Sequence, residues 1–259
     1  MQKDQYSDKV LSLALDLGKY MVKSGAEINR VEETVIRVCY AYGMKKVDVF
    51  SIISMMQATV VDYNNVTHTQ VRRIYSTSTN FGKLEKLNDL SRKICSGIYT
   101  LEQAYDELGK ITVRDKQYSL SVCMGNMLAA GSFTLFFGGG MLGALASAVI
   151  AIVIYFLTSY IKVSGVNRLF FTALTSAVAG FLAIGFVSFG FGSDSNLIMI
   201  GDVMLIIPGL KLINSVREML CGELMSGLLR LLESIILSVA IACGFAVALL
   251  LTGKALMGG

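Results

Sequence analysis

The sequence is poor in the residues that most enzyme chemistries need. It contains one histidine and one proline among 259 residues. It also contains no nucleophile elbow, P-loop, H-E-x-x-H zinc motif or glycine-rich dinucleotide fingerprint. Glu32 and Glu33 are neighbours on a predicted helix and point about 100° apart, so they form no catalytic carboxylate pair. The sequence therefore predicts a protein that is not an enzyme and that binds no cofactor.

Disulfide and metal chemistry have little support either. The five cysteines form no C-x-x-C pair, and three of them lie in the apolar half of the chain. We interpret them as reduced packing residues. The single histidine, His68, lies in a polar stretch typical of a hairpin. We interpret it as a surface residue and not as a metal ligand.

Charged residues are scarce and unevenly distributed. They make up 16% of the chain, against 54% hydrophobic residues and a mean hydropathy of +0.60. Residues 1–117 hold 17 of the 23 Lys and Arg and 14 of the 19 Asp and Glu. This division predicts a soluble domain over residues 1–117 and a transmembrane domain over 118–259. The net charge of +4 does not indicate nucleic acid as a partner.

The first part of the chain has the pattern of an α+β domain. Helical periodicity is found near Val10–Met21 and over residues 26–42, and it returns over 84–95 and 101–108. Between them, residues 46–76 are rich in β-branched and aromatic residues, which predicts two or three antiparallel strands. The first 25 residues carry charges throughout and lack the apolar core of a signal peptide. We therefore expect no secretory signal and a cytoplasmic N-terminus.

The second predicted helix carries charges at regular spacing. Glu27, Arg30, Glu33 and Arg37 follow one another at intervals of three or four residues, so acids and arginines can pair along one flank. One interpretation is a solvated, salt-bridged face. The other is a docking or gating surface against the membrane domain. Periodicity does not separate the two.

The second part of the chain predicts five membrane spans. No charged residue occurs over residues 117–161, which is enough for two helices of about 20 residues. The expected spans are 118–136, 140–161, 169–190, 196–220 and 229–252. The Lys and Arg residues expected inside are Arg114, Lys116, Lys162, Arg168, Lys211, Arg217 and Arg230. This bias predicts a multi-pass protein of the inner (plasma) membrane with its N-terminus in the cytoplasm and its C-terminus outside.

The fourth span contains the proline and a carboxylate. Residues 197–210 would extend only about 20 Å as a helix, so this segment must continue through Pro208 and Gly209 to cross a core of about 30 Å. Proline predicts a break there. Asp202 lies within the apolar run, and an ionisable residue at membrane depth is a functional candidate. Asp202 belongs either to a transport pathway or to a structural bond with a neighbouring helix.

Two polar residues follow the break. Arg217 would lie at the membrane interface or line an inner vestibule. Asn214 would bond either a substrate or a neighbouring helix. We include both among the candidate pathway residues.

Two stretches of the chain resemble the threonine/serine exporter family. One runs from Gly25 through Arg30 to Glu33, and the other from Ile207 to Arg217, followed by Gly222 and Ser226-Gly227. The family motif positions carried over are Glu27, Arg30, Glu33, Pro208, Gly209, Asn214 and Arg217. The order of parts, a cytoplasmic domain followed by about five spans, is similar to the larger subunit of the two-subunit type.

The resemblance implies an exporter subunit completed by a smaller membrane subunit. It implies proton-driven export of threonine and serine, or of a dicarboxylate such as succinate. The exporter itself would be embedded in membrane lipid. The alternative is a membrane-anchored sensor or assembly subunit that has no transport path of its own. Five spans with a broken helix are more than an anchor needs, which favours the exporter.

Overall fold

The structure is a computed structural model that describes residues 2–75, 77–113, 120–160 and 167–257. Two compact units make up the chain. The first comprises Met1–Lys116 and Leu212–Leu231, and the second comprises Gln117–Lys211 and Leu232–Gly259. The first unit therefore includes a segment from the apolar half of the sequence.

The first unit contains four helices and a three-stranded sheet from its N-terminal stretch. These elements are α1 (Gln2–Lys23), α2 (Ile28–Ala41), β1 (Lys46–Ile52), β2 (Met55–Val61), β3 (Thr67–Arg73), α3 (Phe81–Cys95) and α4 (Leu101–Val113). The strands are antiparallel in the order β1-β2-β3, with Ala58 opposite Val49 on one side and Gln70 on the other. The β-branched composition of this stretch predicted two or three such strands.

Helix α1 lies at the centre of the core of this unit. Its buried face includes Leu11, Leu15 and Leu17, all with no exposed surface. At Gly18 an added Cβ would lie 2.8 Å from Val35 Cγ2 and 2.9 Å from Met56 Sδ, so α2 and the sheet pack closely against this helix. Burial of each of these leucine side chains stabilises the folded state by about 1.5–3 kcal/mol relative to leaving it exposed.

Local capping fixes where α4 begins. The Thr100 N–H donates to Gln103 Oε1 at 3.0 Å, and the Gln103 N–H donates to Thr100 Oγ1 at 3.4 Å. This reciprocal arrangement is a capping box, which satisfies two amides at the start of the helix.

The prediction that His68 is a surface residue is wrong. It is 8% exposed, with its Nδ1 3.0 Å from Asp8 Oδ1 and its Nε2 3.9 Å from Asp62 Oδ2. The side chain is buried because α1 packs beside β3, which brings Asp8 to the imidazole.

Where it is described, the second stretch of the chain consists of helices joined by short turns. Its helices are α5 (Leu120–Phe136), α6 (Met141–Tyr160), α7 (Arg168–Ser188), α8 (Ser195–Ile206), α9 (Gly209–Leu220) and α10 (Leu224–Met257). Among the described residues, the segments Met141–Ser159, Arg168–Ser188 and Leu224–Thr252 are long and apolar enough to cross a membrane, and the bent pair α8 and α9 would count as a fourth. These apolar helices indicate a helical membrane protein.

The first expected span is described only in part. Helix α5, which is 17 residues long and mostly apolar, covers the rest of it, whereas residues 118 and 119 lie outside the described residues. Arg114, Lys116 and Lys162, on which the expected orientation partly depends, also lie outside them.

Helices α8 and α9 are separated by a break at Ile207 and Pro208. Ile207 is extended (φ −62°, ψ 134°), and the two helices differ in direction by 52°. Proline has no N–H to donate and disfavours a helical conformation in the residue before it, so α8 ends here. Its 12 residues extend only about 18 Å, which is shorter than a membrane core of about 30 Å.

Candidate functional site

Asp202 is the central residue of the candidate site in the second unit. Its side chain has no exposed surface. The Ser147 hydroxyl of α6 donates to Asp202 Oδ1 at 2.7 Å. The other oxygen, Oδ2, is buried and has no hydrogen-bond partner among the described residues. The carboxyl group is therefore held on one side and unsatisfied on the other.

Helix α5 packs closely against α8 at Gly201. A Cβ at this position would collide with Thr134 Oγ1 and would lie 2.8 Å from the Ala130 carbonyl oxygen and 3.0 Å from Ser147 Oγ. Thr134 is fully buried and donates to the Ala130 carbonyl at 3.0 Å. Glycine thus allows α8 to approach two polar side chains closely. Thr134, Ser147 and Asp202 form a buried polar cluster drawn from three helices, which we call the carboxyl site.

The geometry of the carboxyl site suits reversible binding. A buried polar atom without a partner costs about 1–3 kcal/mol. An ammonium group or a hydroxyl group that reached Oδ2 would remove this cost by donating a hydrogen bond, and a proton bound there would remove the negative charge. The bond to Ser147 also matches the alternative of a structural link to a neighbouring helix. The two interpretations are compatible, because only one of the two oxygens is used in that link.

A second ionic group lies in the same unit. Glu233 Oε1 accepts from Lys211 Nζ at 2.7 Å and from Arg168 Nη1 at 3.0 Å. Lys211 is 8% exposed. The three residues lie on α10, α9 and α7. Sequence reasoning did not join them, because neither helical nor strand spacing relates positions 22 and 65 residues apart.

Three motif residues meet in the first unit. Glu27, which directly precedes α2, accepts from Arg217 Nη1 of α9 at 2.7 Å, and its other oxygen lies 3.6 Å from Arg30 Nε. Glu33 lies elsewhere, in an exposed pair with Arg37 at 2.8 Å. The charges of this stretch therefore make two different kinds of contact. One end contacts a segment from the apolar half of the sequence, and the next turns form a solvated face.

A buried ion pair lies beside these residues. Arg230 Nη2 is 2.8 Å from Glu218 Oε1, and Arg230 Nε donates to Glu218 Oε2 at 3.1 Å. The side chains are 3% and 1% exposed. Glu218 Oε1 also accepts from the Ile28 N–H, at the start of α2, at 3.4 Å. The sequence did not pair these two residues, because they are 12 positions apart and lie on two different helices.

The remaining candidates lie at or after the break. Pro208 and Gly209 form the junction of α8 and α9, where the Gly209 N–H donates to the Ile207 carbonyl at 2.9 Å. Asn214 is half-buried on α9. Within the described part of the chain, no three His, Cys, Asp or Glu residues are placed to hold a metal ion.

The chain has the features of a helical membrane protein. Several of its helices are apolar and long enough to cross a membrane, and the bent pair α8 and α9 carries the buried Asp202. The family model described as "Putative threonine/serine exporter" matches residues 12–252. The chain therefore belongs to the threonine/serine exporter family.

Two curated relatives match almost the whole chain. A Mycobacterium tuberculosis protein named "Probable threonine/serine exporter" is 24% identical over 251 residues, covering 95% of this chain and 47% of the relative. A Corynebacterium glutamicum protein named "Threonine/serine exporter" is 23% identical over 252 residues, covering 91% of this chain and 50% of the relative. The chain spans about half the length of these relatives. No solved structure matches.

Proposed function

We propose that the chain is a subunit of a secondary exporter of small hydrophilic metabolites. The substrate class is threonine and serine, or a dicarboxylate such as succinate. The observation that carries this proposal is the buried Asp202 carboxyl, half-satisfied, on a short helix that ends at a proline break. Family membership supplies the class of transport.

The proposed arrangement in the membrane follows the charge distribution. Residues 1–117 form a cytoplasmic domain, and residues 118–259 form five spans of the inner (plasma) membrane, with the C-terminus outside. The curated relatives are about twice as long as the part that matches this chain. As the resemblance to the two-subunit type implies, we propose that a smaller membrane subunit of the same family completes the exporter.

Transport is proposed to proceed by alternating access around the α8–α9 break. Backbone groups freed by the break are tolerated at membrane depth only where they are buried in protein or line a wet cavity. The amides at the start of α9 suit the carboxylate of a substrate, because helix N-termini favour anions. Asp202 takes up and releases a proton at Oδ2, while Ser147 holds Oδ1. Asn214 and Arg217 belong to the helix that follows the break.

Efflux measurements test the proposal. The chain is expressed alone, with the smaller subunit, and without either, in cells that lack their own exporters. The cells are loaded with threonine or with succinate, and the appearance of each solute outside is followed. We expect efflux only when both subunits are present. Absence of efflux with both proteins in the membrane would contradict the exporter and favour a sensor.

Asp202→Asn tests the role of the carboxyl group. The amide keeps the size and the acceptor for Ser147 but does not exchange a proton, so we expect efflux to be lost at a normal protein level. Asp194→Asn is the matched control. Asp194 caps α8 by accepting from the Asn196 N–H at 2.8 Å, and asparagine caps helices equally well. Unchanged efflux in Asp202→Asn would refute the proton role.

A further inference from the structure

Residues Leu212–Leu231 form a helical hairpin within the first unit, made of the end of α9 and the start of α10. Gly222 turns the chain with φ +96°, a conformation that favours glycine. At Gly227 an added Cβ would lie 2.7 Å from the Ser215 carbonyl oxygen, so the two helices pack closely. The hairpin is thus a compact piece of structure and not a loose loop.

Two ion pairs of different character lie where this hairpin meets the start of α2: Glu218–Arg230 joins its two helices, and Glu27–Arg217 joins the hairpin to the residue before α2. The Glu218–Arg230 pair is almost fully buried, and Arg230 Nη2 also reaches the Ala26 carbonyl at 3.5 Å. Separating two buried charges would leave each of them uncompensated, so this pair stays closed. In the Glu27–Arg217 pair, Arg217 is 53% exposed and Glu27 is 15% exposed. Water can replace this contact, so it can open.

Glu27 has a second cation within reach. Arg30 lies in the first turn of α2, and its Nε is 3.6 Å from Glu27 Oε2. Arg217 Nη1 is 2.7 Å from the other carboxylate oxygen, Oε1. Arg30 follows Glu27 by three residues, so its guanidinium stays near the Glu27 carboxylate when α9 moves away. The carboxylate therefore keeps a charged partner whether the pair with Arg217 is closed or open.

We propose that Glu27 and Arg217 form a reversible latch that positions α9 and α10 during export, with Arg30 as the competing partner of Glu27. Helix α9 runs without interruption from Gly209, directly after the proline break, to Leu220. Release of Arg217 frees the end of that helix. The latch rests on the exporter function proposed above, and its members are positioning residues that act through α9.

A double-mutant cycle tests the latch in the complete exporter. The variants are Glu27→Gln, Arg217→Gln and the two combined, with Arg217→Lys to retain the charge. Each glutamine variant should lower the maximal efflux rate per molecule about 5-fold or more, with little change in the internal concentration that gives half-maximal rate. The combined variant should lose no more than either single one, and Arg217→Lys should recover most of the rate.

Arg30→Gln separates a latch from a purely structural contact. It removes the competitor of Arg217, so the latch opens less often, and we expect slower efflux together with slower hydrogen exchange in residues 212–220. Arg217→Gln should also slow efflux but should speed that exchange. Arg37→Gln is the matched control on the same helix, because its partner Glu33 contacts no hairpin residue in the pairs described, and it should change neither quantity.

The outcomes distinguish the latch from the exporter. Normal efflux in the glutamine variants of Glu27 and Arg217, or strictly additive losses, would overturn the latch and leave the exporter intact. An Arg30→Gln variant with normal efflux and normal exchange would overturn the exchange of partners. Absence of efflux in the unaltered protein with its partner would overturn the exporter, and the latch with it.

Discussion

Arg230→Met should detach the hairpin of residues 212–231 from the start of α2. The substitution keeps most of the side-chain volume but leaves the Glu218 carboxylate, 1% exposed, without its countercharge. Breaking a buried ion pair in this way costs about 3–5 kcal/mol. At about 1.4 kcal/mol for each tenfold change, opening of the hairpin should become roughly 100- to 4,000-fold more frequent.

Thiol labelling measures this opening once the four cysteines that are not buried, Cys95, Cys123, Cys221 and Cys243, are replaced by serine. Ser226 is 1% exposed and its hydroxyl has no partner among the described residues, so Ser226→Cys places a buried reporter thiol in the hairpin. Cys39, which is fully buried in the core, reports opening of the rest of the unit. Burial raises the pKa of the Cys39 thiol to about 12, so it is unreactive while folded.

The comparison with a second variant makes the test specific. Glu218→Leu combined with Arg230→Met removes both charges and should label within about tenfold of the unaltered chain, because no buried charge remains. Labelling at Ser226→Cys that rises less than tenfold in Arg230→Met alone would refute the reasoning. It would mean that apolar packing holds the hairpin and that the ion pair contributes little.

Two further predictions concern packing and pH. Gly201→Ala should destabilise the chain by about 1–3 kcal/mol, because its Cβ meets the Thr134 hydroxyl and the Ala130 carbonyl. Thr134→Ala should recover part of that loss in thermal unfolding of the detergent-solubilised protein, and no recovery would argue against this clash. Burial raises the pKa of Glu32 above 4.5 although its carboxylate accepts from the Ser51 N–H. The folded state therefore holds this proton more tightly, and stability falls as the pH rises from 4.5 through the raised pKa. Glu32→Gln should remove that part of the pH dependence, and an unchanged profile would contradict it.

Local patterns were sufficient to predict much of the fold. The high content of β-branched and aromatic residues over residues 46–76 predicted the strands, because such side chains pack well on a pleated, half-buried surface. The single proline predicted the break between α8 and α9, since it removes a backbone donor from any helix. His68 was misjudged for a related reason. Its neighbours in the sequence are polar, but it is buried because α1, whose Asp8 is 60 residues away in the sequence, packs beside its strand.

The candidate sites divide in the same way. The sequence by itself determined that Asp202 is a carboxylate in an apolar run and that Glu27, Arg30 and Arg217 are charged motif positions. Only the tertiary structure decided that Ser147 holds one oxygen of Asp202, that Glu27 pairs with Arg217 across 190 residues, and that Glu218 and Arg230 are buried together. Periodicity assigns a residue to a face of its own helix, whereas the partner of a buried charge depends on which helices pack together.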